Sequence, residues 1–175
     1  LIAPGGVGAF GAGCSGSVAL GVRDLSSSAI GYFKASDTRA GDQLAEAVAL
    51  SGDGRTLALA AVGRDAHTGT VFVFTREGGT WQQQAALRPR LTEAGDRFGA
   101  ALALSRDGNV LVVGVPMESS SATGVNGQQW DDSRPYSGAA YVFERNGSAW
   151  SQQAYLKASN TDACDSFGQA VALSG

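Results

Sequence analysis

The sequence is poor in the residues that mark several large classes of protein. Only 17% of its 175 residues are charged, lysine occurs twice and histidine once. It has no apolar run of about 18 residues, so no membrane-spanning helix is predicted. The formal net charge is −3 and basic residues are not clustered, so a nucleic-acid partner is not expected. No nucleophile and base flank the single histidine, His67, so we predict a protein that is not an enzyme and has no cofactor.

Glycine and short apolar runs are abundant, and they recur at intervals. The 25 glycines and many Val, Leu and Ala runs indicate an all-β chain with many turns. The segment "AGDQLAEAVALSGDGRTLALAAV" begins at Ala40, "AGDRFGAALALSRDGNVLVVGVP" begins at Ala94, and "ACDSFGQAVALSG" begins at Ala163. Self-similarity at a period of about 50 to 70 residues indicates a propeller or an array.

Each copy contains four strand-like runs. In the second copy they are Phe98–Leu104, Val110–Val115, Ala139–Arg145 and Trp150–Leu156. The first two runs are almost wholly apolar, which predicts strands buried on both faces. The fourth is the most polar, as expected of an outer edge strand. We therefore predict a β-propeller-like fold of four-stranded antiparallel blades.

The ends of the sequence fit one further blade. Residues 1–36 match strands two to four of a blade, and residues 160–175 match strand one. Residues 37–91 and 92–159 each match a whole blade, and the second contains a long loop at 117–136. The prediction is three blades in a single domain, one of them split between the N- and C-termini.

The residues of the repeat resemble those of a known family. "FG" occurs at Phe98–Gly99 and Phe167–Gly168, and "GVP" at 114–116, whereas the first copy has "LA" at Leu44–Ala45. The chain resembles the FG-GAP repeat family, the propeller repeats of integrin α chains and many bacterial surface proteins. The resemblance implies an extracellular or cell-surface protein with a role in adhesion, ligand binding or scaffolding.

The family's calcium loop falls here on Asp53–Gly54 and Asp107–Gly108. Each loop keeps one carboxylate, whereas calcium takes about six to eight oxygen ligands, so we predict structural turns. The recurrent Asp42, Asp96 and Asp165 precede the first strand of each copy. An aspartate at such a corner is expected to accept backbone N–H groups.

The long loop at 117–136 is the candidate binding site. Long loops on a rigid sheet often carry function. Two aromatic residues, Trp130 and Tyr136, are predicted to be available for a partner. The alternatives are a calcium-organised loop and a solvated loop held by its own hydrogen bonds. The candidate calcium ligands are Glu118, Asn126, Asp131 and Asp132.

The two cysteines are candidates for a disulfide. Cys164 lies in the corner before strand one of the split blade, and Cys14 directly precedes strand three. We predict a bridge that locks the split blade and that requires an oxidising compartment. Two unrelated thiols are the alternative.

The number of blades gives the functional hypothesis. Closed propellers usually have about four to eight blades, so three are too few to close a ring. We expect an extracellular structural protein, its signal peptide removed, that self-assembles head-to-tail by strand exchange into a filament or ring. The alternative is an adhesion or glycan-binding module of a larger protein. The expected partners are further copies of the chain, or a cell-surface protein or glycan.

Overall fold

A computed structural model describes residues 32–174 as an all-β structure with two four-stranded antiparallel sheets. In each sheet the strands lie side by side in chain order. The first sheet lies within 37–91, here called repeat one, and the second within 92–159, repeat two. The elements are β1 (Leu44–Leu50), β2 (Thr56–Ala61), α1 (Arg64–His67), β3 (Thr70–Glu77), β4 (Thr80–Leu87), β5 (Ala101–Leu104), β6 (Val110–Val115), β7 (Ala139–Asn146) and β8 (Ala149–Leu156). The prediction of an all-β chain with four-stranded antiparallel units is confirmed.

The predicted third blade is not a sheet in this part of the chain. Its strands two to four fall largely on residues 1–31, outside the described residues. Its strand one is not formed between residues 160 and 174, where Phe167 makes a single parallel bridge to Gly138. A strand is stabilised by a hydrogen-bonded neighbour along its length, and residues 32–174 supply none beyond that bridge. The described structure therefore has two open sheets where three blades were predicted.

Burial differs from the prediction in the first strand of each sheet. Every residue of β2 is buried, as its apolar sequence predicts. In contrast, β5 is only half-buried, and in β1 Val48 and Leu50 are each 36% exposed. The first strands form one edge of their sheets, so the prediction of burial on both faces is wrong for them.

The turn between the first two strands has the same design in both sheets. In repeat two, Asp107 Oδ1 accepts the Asn109 backbone N–H at 3.0 Å and the Ser105 hydroxyl at 2.6 Å. These bonds lower the pKa of Asp107 to about 2. Gly108 follows with φ of 69°, and Asp53–Gly54 repeat both the bonds and the dihedral angle. The carboxylates of these two loops serve their own turns.

A second recurrent feature is the corner that leads into the first strand, Gly95–Gly99 in repeat two. Asp96 Oδ2 accepts the Glu93 backbone N–H at 2.8 Å. Asp42 and Asp165 accept the backbone N–H three residues earlier in the same way, at 2.8 and 2.7 Å. The recurrent aspartates therefore close a turn at each corner.

Backbone dihedral angles explain the glycines of this corner. Gly95, Arg97 and Gly99 have φ values of 98°, 61° and 99°, so alternate residues lie in the left-handed region. Because of these angles β5 begins at Ala101, three residues later than the apolar pattern predicts. Ala45 has φ of 72° at the position of Gly99, and Cys164 has φ of 68° at the position of Gly95. Two repeats thus place a side chain where glycine is preferred.

The second and third corners each dock on the preceding repeat by backbone hydrogen bonds. The Phe98 N–H donates to the Thr68 carbonyl at 3.0 Å, and the Phe167 N–H donates to the Ser137 carbonyl at 2.9 Å. Gly69 permits this approach, because a Cβ there would lie 2.2 Å from the Phe98 carbonyl oxygen. The corner of the third copy is therefore docked as the second one is.

The main core lies between the two sheets. Phe98 is fully buried there, and its ring meets the rings of Tyr141 and Phe143 edge-on at 6.0 and 5.9 Å. A second cluster covers the other face of the first sheet, where Phe33 packs on Phe74 and Trp81. Within residues 32–174 no helix has the length and apolarity needed to cross a lipid bilayer.

Candidate functional site: the loop between β6 and β7

The loop at 117–136 is attached along the end of β8. The Asn126 N–H donates to the Tyr155 carbonyl at 2.7 Å, and the Tyr155 N–H donates to Asn126 Oδ1 at 2.9 Å. Further along, the Lys157 N–H donates to the Gly124 carbonyl at 2.8 Å. The middle of the loop therefore extends the sheet by a short antiparallel bridge.

A buried ionic network fixes the start of the loop. Lys157, whose side chain is fully buried, donates to Glu118 Oε2 at 2.7 Å and to the Ser137 hydroxyl at 2.6 Å. The Tyr155 hydroxyl donates to Glu118 Oε1 at 2.8 Å and bonds with the Ser120 hydroxyl at 2.7 Å. Burial and the Glu118 carboxylate raise the pKa of Tyr155, so its hydroxyl stays protonated. Both carboxylate oxygens of Glu118 are thus bonded inside the protein.

Asp131 organises the tip of the loop. Its carboxylate accepts the backbone N–H and the hydroxyl of Ser121 at 2.9 and 2.8 Å, and the Ser133 hydroxyl at 2.7 Å. These bonds, the backbone bond first among them, lower the pKa of Asp131 to about 2. The carboxylate therefore stays ionised and holds together residues ten positions apart.

The four candidate calcium ligands lie in different surroundings. Glu118 is in the buried network, Asn126 clamps the loop to Tyr155, and Asp131 is bonded to serines. Asp132 is exposed. Across the described residues no three acidic, histidine or cysteine side chains are grouped to hold a metal ion. Calcium binding by this loop stays a prediction.

Trp130 stands at the centre of the loop surface, with 77% of its area exposed. On one side of it lies a cleft of about 380 Å³, here called the outer cleft. The outer cleft is lined by Ser121, Ala122, Thr123, Gly127, Gln128, Trp130 and Asp131. Tyr136, the other aromatic candidate, is 53% exposed at the end of the loop, where its carbonyl accepts the Ser166 N–H at 2.9 Å.

On the other side of Trp130 lies a second cleft of about 220 Å³, here called the inner cleft. It separates the loop from the segment that joins the two sheets. Its lining includes Arg90, Glu93, Asp96, Glu118, Gln129, Trp130, Asp132 and Tyr141. Four of these side chains are acidic and one is basic, so the cleft carries a negative potential.

Two acids of the inner cleft are buried, Glu118 in its pair with Lys157 and Asp96 at 8% exposure. Burial raises its pKa to about 6, with further upward contributions from Glu118, Glu93 and Asp132. The Glu93 backbone N–H opposes this shift. No cationic side chain among residues 32–174 forms an ion pair with Asp96.

The described residues include only one of the two cysteines of the predicted disulfide. Cys164 is exposed and has no disulfide partner among residues 32–174, and Cys14 lies outside the described residues. The predicted bridge between them, within a chain or between chains, stays a prediction.

Sequence reasoning found the loop and Trp130 but missed the inner cleft. Glu93, Gln129 and Tyr141 were not candidates, and Asp96 was predicted only as a turn residue. The scarcity of lysine, of which Lys157 is one of only two, was a signal for the ionic network beside the loop and not for the cleft.

Comparison with known protein families also finds repeats in this sequence. The family described as FG-GAP repeat matches residues 81–143 and 150–175, more than half of the chain. A comparison with curated proteins found no match. The matched residues include β5, β6, most of β7 and β8, and both docked corners, Phe98–Gly99 and Phe167–Gly168. The chain belongs to the FG-GAP repeat family.

Proposed function

We propose that the protein is an extracellular, non-catalytic binding module whose ligand site is the loop at 117–136. The observation that carries this proposal is Trp130, 77% exposed on a loop held by buried ionic and backbone bonds. An exposed indole on a pre-ordered loop offers apolar area at little entropic cost on binding. Family membership supports the assignment to a surface protein.

We propose a glycan as the ligand of the outer cleft. The flat indole face suits the C–H face of a sugar ring, which is apolar and of similar size. The cleft also presents Thr123, Gln128 and Asp131, whose hydroxyl, amide and carboxylate groups can bond sugar hydroxyls. One aromatic wall with few polar groups is the usual composition of a small-ligand site.

A glycan array with wild-type protein and two variants tests this function. Trp130→Ala removes the stacking surface, and its exposure means that the fold should be retained. Val125→Ala is the matched control, since Val125 is 66% exposed in the same loop but does not line the cleft. We expect wild type and Val125→Ala to bind the same glycans, and Trp130→Ala to bind about tenfold or more weakly. Absence of glycan binding by wild type, or equal binding by all three, contradicts the proposal.

Head-to-tail self-assembly is a second candidate function. Its support is the segment 169–174, which follows the docked corner of the third copy yet has no strand partner within the described residues. An unpaired strand edge can be completed by a strand of a neighbouring molecule. On this proposal the third blade is shared between subunits in a filament or ring, and Cys14 and Cys164 link them.

Electrophoresis of native material with and without reductant, beside negative-stain images, tests assembly. Ladders that collapse to the single-chain band on reduction, with fibres or rings in the images, support strand exchange. Cys14→Ser should remove the ladder but keep the assemblies. A single band in both lanes with separate compact particles contradicts assembly and leaves the binding proposal unaffected.

A further inference from the structure

The two repeats place opposite charges at one position. Arg64 is the third residue after β2, and Glu118 is the third residue after β6. Arg64 is 2% exposed, and its guanidinium forms ion pairs with Asp42, at 3.4 Å, and with Asp37. The guanidinium also lies over the ring of Phe72, 5.2 Å from its centroid. In repeat one a buried cation therefore neutralises the corner aspartate.

Repeat two has an aspartate and an aromatic residue at the equivalent positions, but Glu118 replaces the cation. Asp96 stands for Asp42 at the corner, and Tyr141 stands for Phe72 at the matching position of β7. Glu118 stands for Arg64 and forms its ion pair with Lys157 instead. The one hydrogen bond of the Asp96 carboxylate to a described residue is that from the Glu93 N–H to Oδ2. A nine-tenths-buried carboxylate thus lines the inner cleft without an ion pair to any of residues 32–174, although Arg90 also lines the cleft.

We infer that the inner cleft binds an organic cation with N–H donors, a guanidinium or primary ammonium group, in the place that the Arg64 guanidinium takes in repeat one. The cleft offers Asp96 as the charge partner, with Glu93 and Asp132 at its margin. The exposed indole of Trp130 adds an aromatic ring to its wall, which attracts such cations. Its volume of about 220 Å³ admits a group of this size.

The chemistry of the cleft favours an organic cation over a metal ion. Metal binding requires several oxygens gathered at one point, and the described residues contain no such cluster. Both oxygens of Glu118 are bonded to Lys157 and Tyr155, so this carboxylate is neutralised by Lys157 and offers no free acceptor. A guanidinium or ammonium group can instead bond the Asp96 carboxylate and lie against the Trp130 indole.

The inference rests on Asp96 and Glu118, which lie outside the outer cleft, and so it goes beyond the proposed glycan site. The test is titration of the full chain at pH 7.5 with propylguanidinium, followed by the indole N–H signal of Trp130 in NMR. Trp130→Phe assigns that signal among the three tryptophans. Propylurea is the matched neutral probe, and propylammonium separates guanidinium from ammonium recognition. We expect a saturable shift with at least one cation, and at least about tenfold weaker binding of propylurea.

Two variants with equal charge change give the control. Asp96→Asn retains an acceptor for the Glu93 N–H but removes the buried charge, and should weaken cation binding about tenfold or more. Asp162→Asn removes a carboxylate whose side chain is 79% exposed outside the cleft, and should leave binding unchanged. Should Asp96→Asn fail to fold, Asp132→Asn at the cleft margin is the substitute, with a smaller expected loss.

The outcomes separate this inference from the proposed function. Equal binding of propylguanidinium, propylammonium and propylurea, or no saturable shift with any of them, overturns the inference. Glycan binding without cation binding overturns it and leaves the glycan site standing. Cation binding that Asp96→Asn abolishes, with no glycan bound on the array, supports the inference and contradicts the glycan site.

Discussion

Repeats one and two have the same strand order and similar turns, but their buried charged side chains are neutralised in different ways. In repeat one the short segment after β2 carries Arg64, which neutralises the corner aspartate Asp42. In repeat two the long loop carries Glu118, which is neutralised from β8 by Lys157. Turns, corners and docking bonds are otherwise the same. In repeat two Glu118 thus takes the place of Arg64 on a longer loop, and the corner acid Asp96 lines a cleft without an ion pair to any of residues 32–174.

Lys157→Met should give the largest effect, because it leaves Glu118 charged and buried without its partner. We expect a loss of about 3–5 kcal/mol in the free energy of unfolding, measured by urea titration. The control is Arg88→Met, at the same position after β4. The Arg88 side chain is 44% exposed, so its ion pair with Asp65 is worth about 1 kcal/mol or less. Equal losses in both variants would contradict the prediction that the buried pair of Lys157 stabilises the protein more than the exposed pair of Arg88.

Gly99→Ala should give the next largest effect. Gly99 has φ of 99°, and an added Cβ would lie 2.8 Å from the Cβ of Ala60 in the neighbouring sheet. Strain and overpacking together should lower the free energy of unfolding by about 2–4 kcal/mol. Thermal unfolding followed by circular dichroism measures this, and an unchanged midpoint would contradict the role of the corner.

The converse substitution, Ala45→Gly, should stabilise the protein. Ala45 has φ of 72° at the equivalent position of repeat one, where glycine adopts the backbone without strain. We expect a gain of about 1 kcal/mol in the same unfolding assay. Because glycine also loses more entropy on folding, a gain would show that strain dominates at this position. A loss would contradict that conclusion.

The last prediction concerns the pH dependence of stability. Burial raises the pKa of Asp96 to about 6, so between about pH 4 and pH 6 the native state holds a proton that the unfolded state releases. The contribution of Asp96 to stability therefore falls as pH rises through this window, and Asp96→Asn should remove that slope. Asp131→Asn is the control, since the pKa of Asp131 is lowered and its contribution is lost only as pH falls below about 4. Identical pH profiles of wild type and Asp96→Asn would contradict the raised pKa.

Local sequence pattern predicted most of the two described sheets. Apolar pattern and turn residues located the four strands of repeat two and predicted four more in repeat one, and the position of Asp107 before Gly108 predicted its turn. The apolar pattern predicted the start of β5 three residues too early, because such a pattern contains no information on the left-handed φ of Arg97. Strand pairing in the third copy could not be judged from the pattern, since a strand depends on its neighbour.

The site was less predictable than the sheets. Trp130 could be singled out because it lies in a long polar loop. The pairing of Glu118 with Lys157 joins residues 39 positions apart, and only the path of the loop along β8 brings them together. The inner cleft likewise arises where the segment around Glu93 faces the loop, a juxtaposition that sequence spacing does not contain.

The buried ion pair also limits how this chain can vary by recombination. Moving the loop at 117–136 into repeat one would place a buried glutamate beside Asp42, with the exposed Arg88 at the position of Lys157. Such a transfer would succeed only if the end of β8 moved with it. The loop and the end of β8 are therefore expected to be transferred together. Recombination between repeats of this design should then exchange segments of about forty residues, from the glutamate to its lysine.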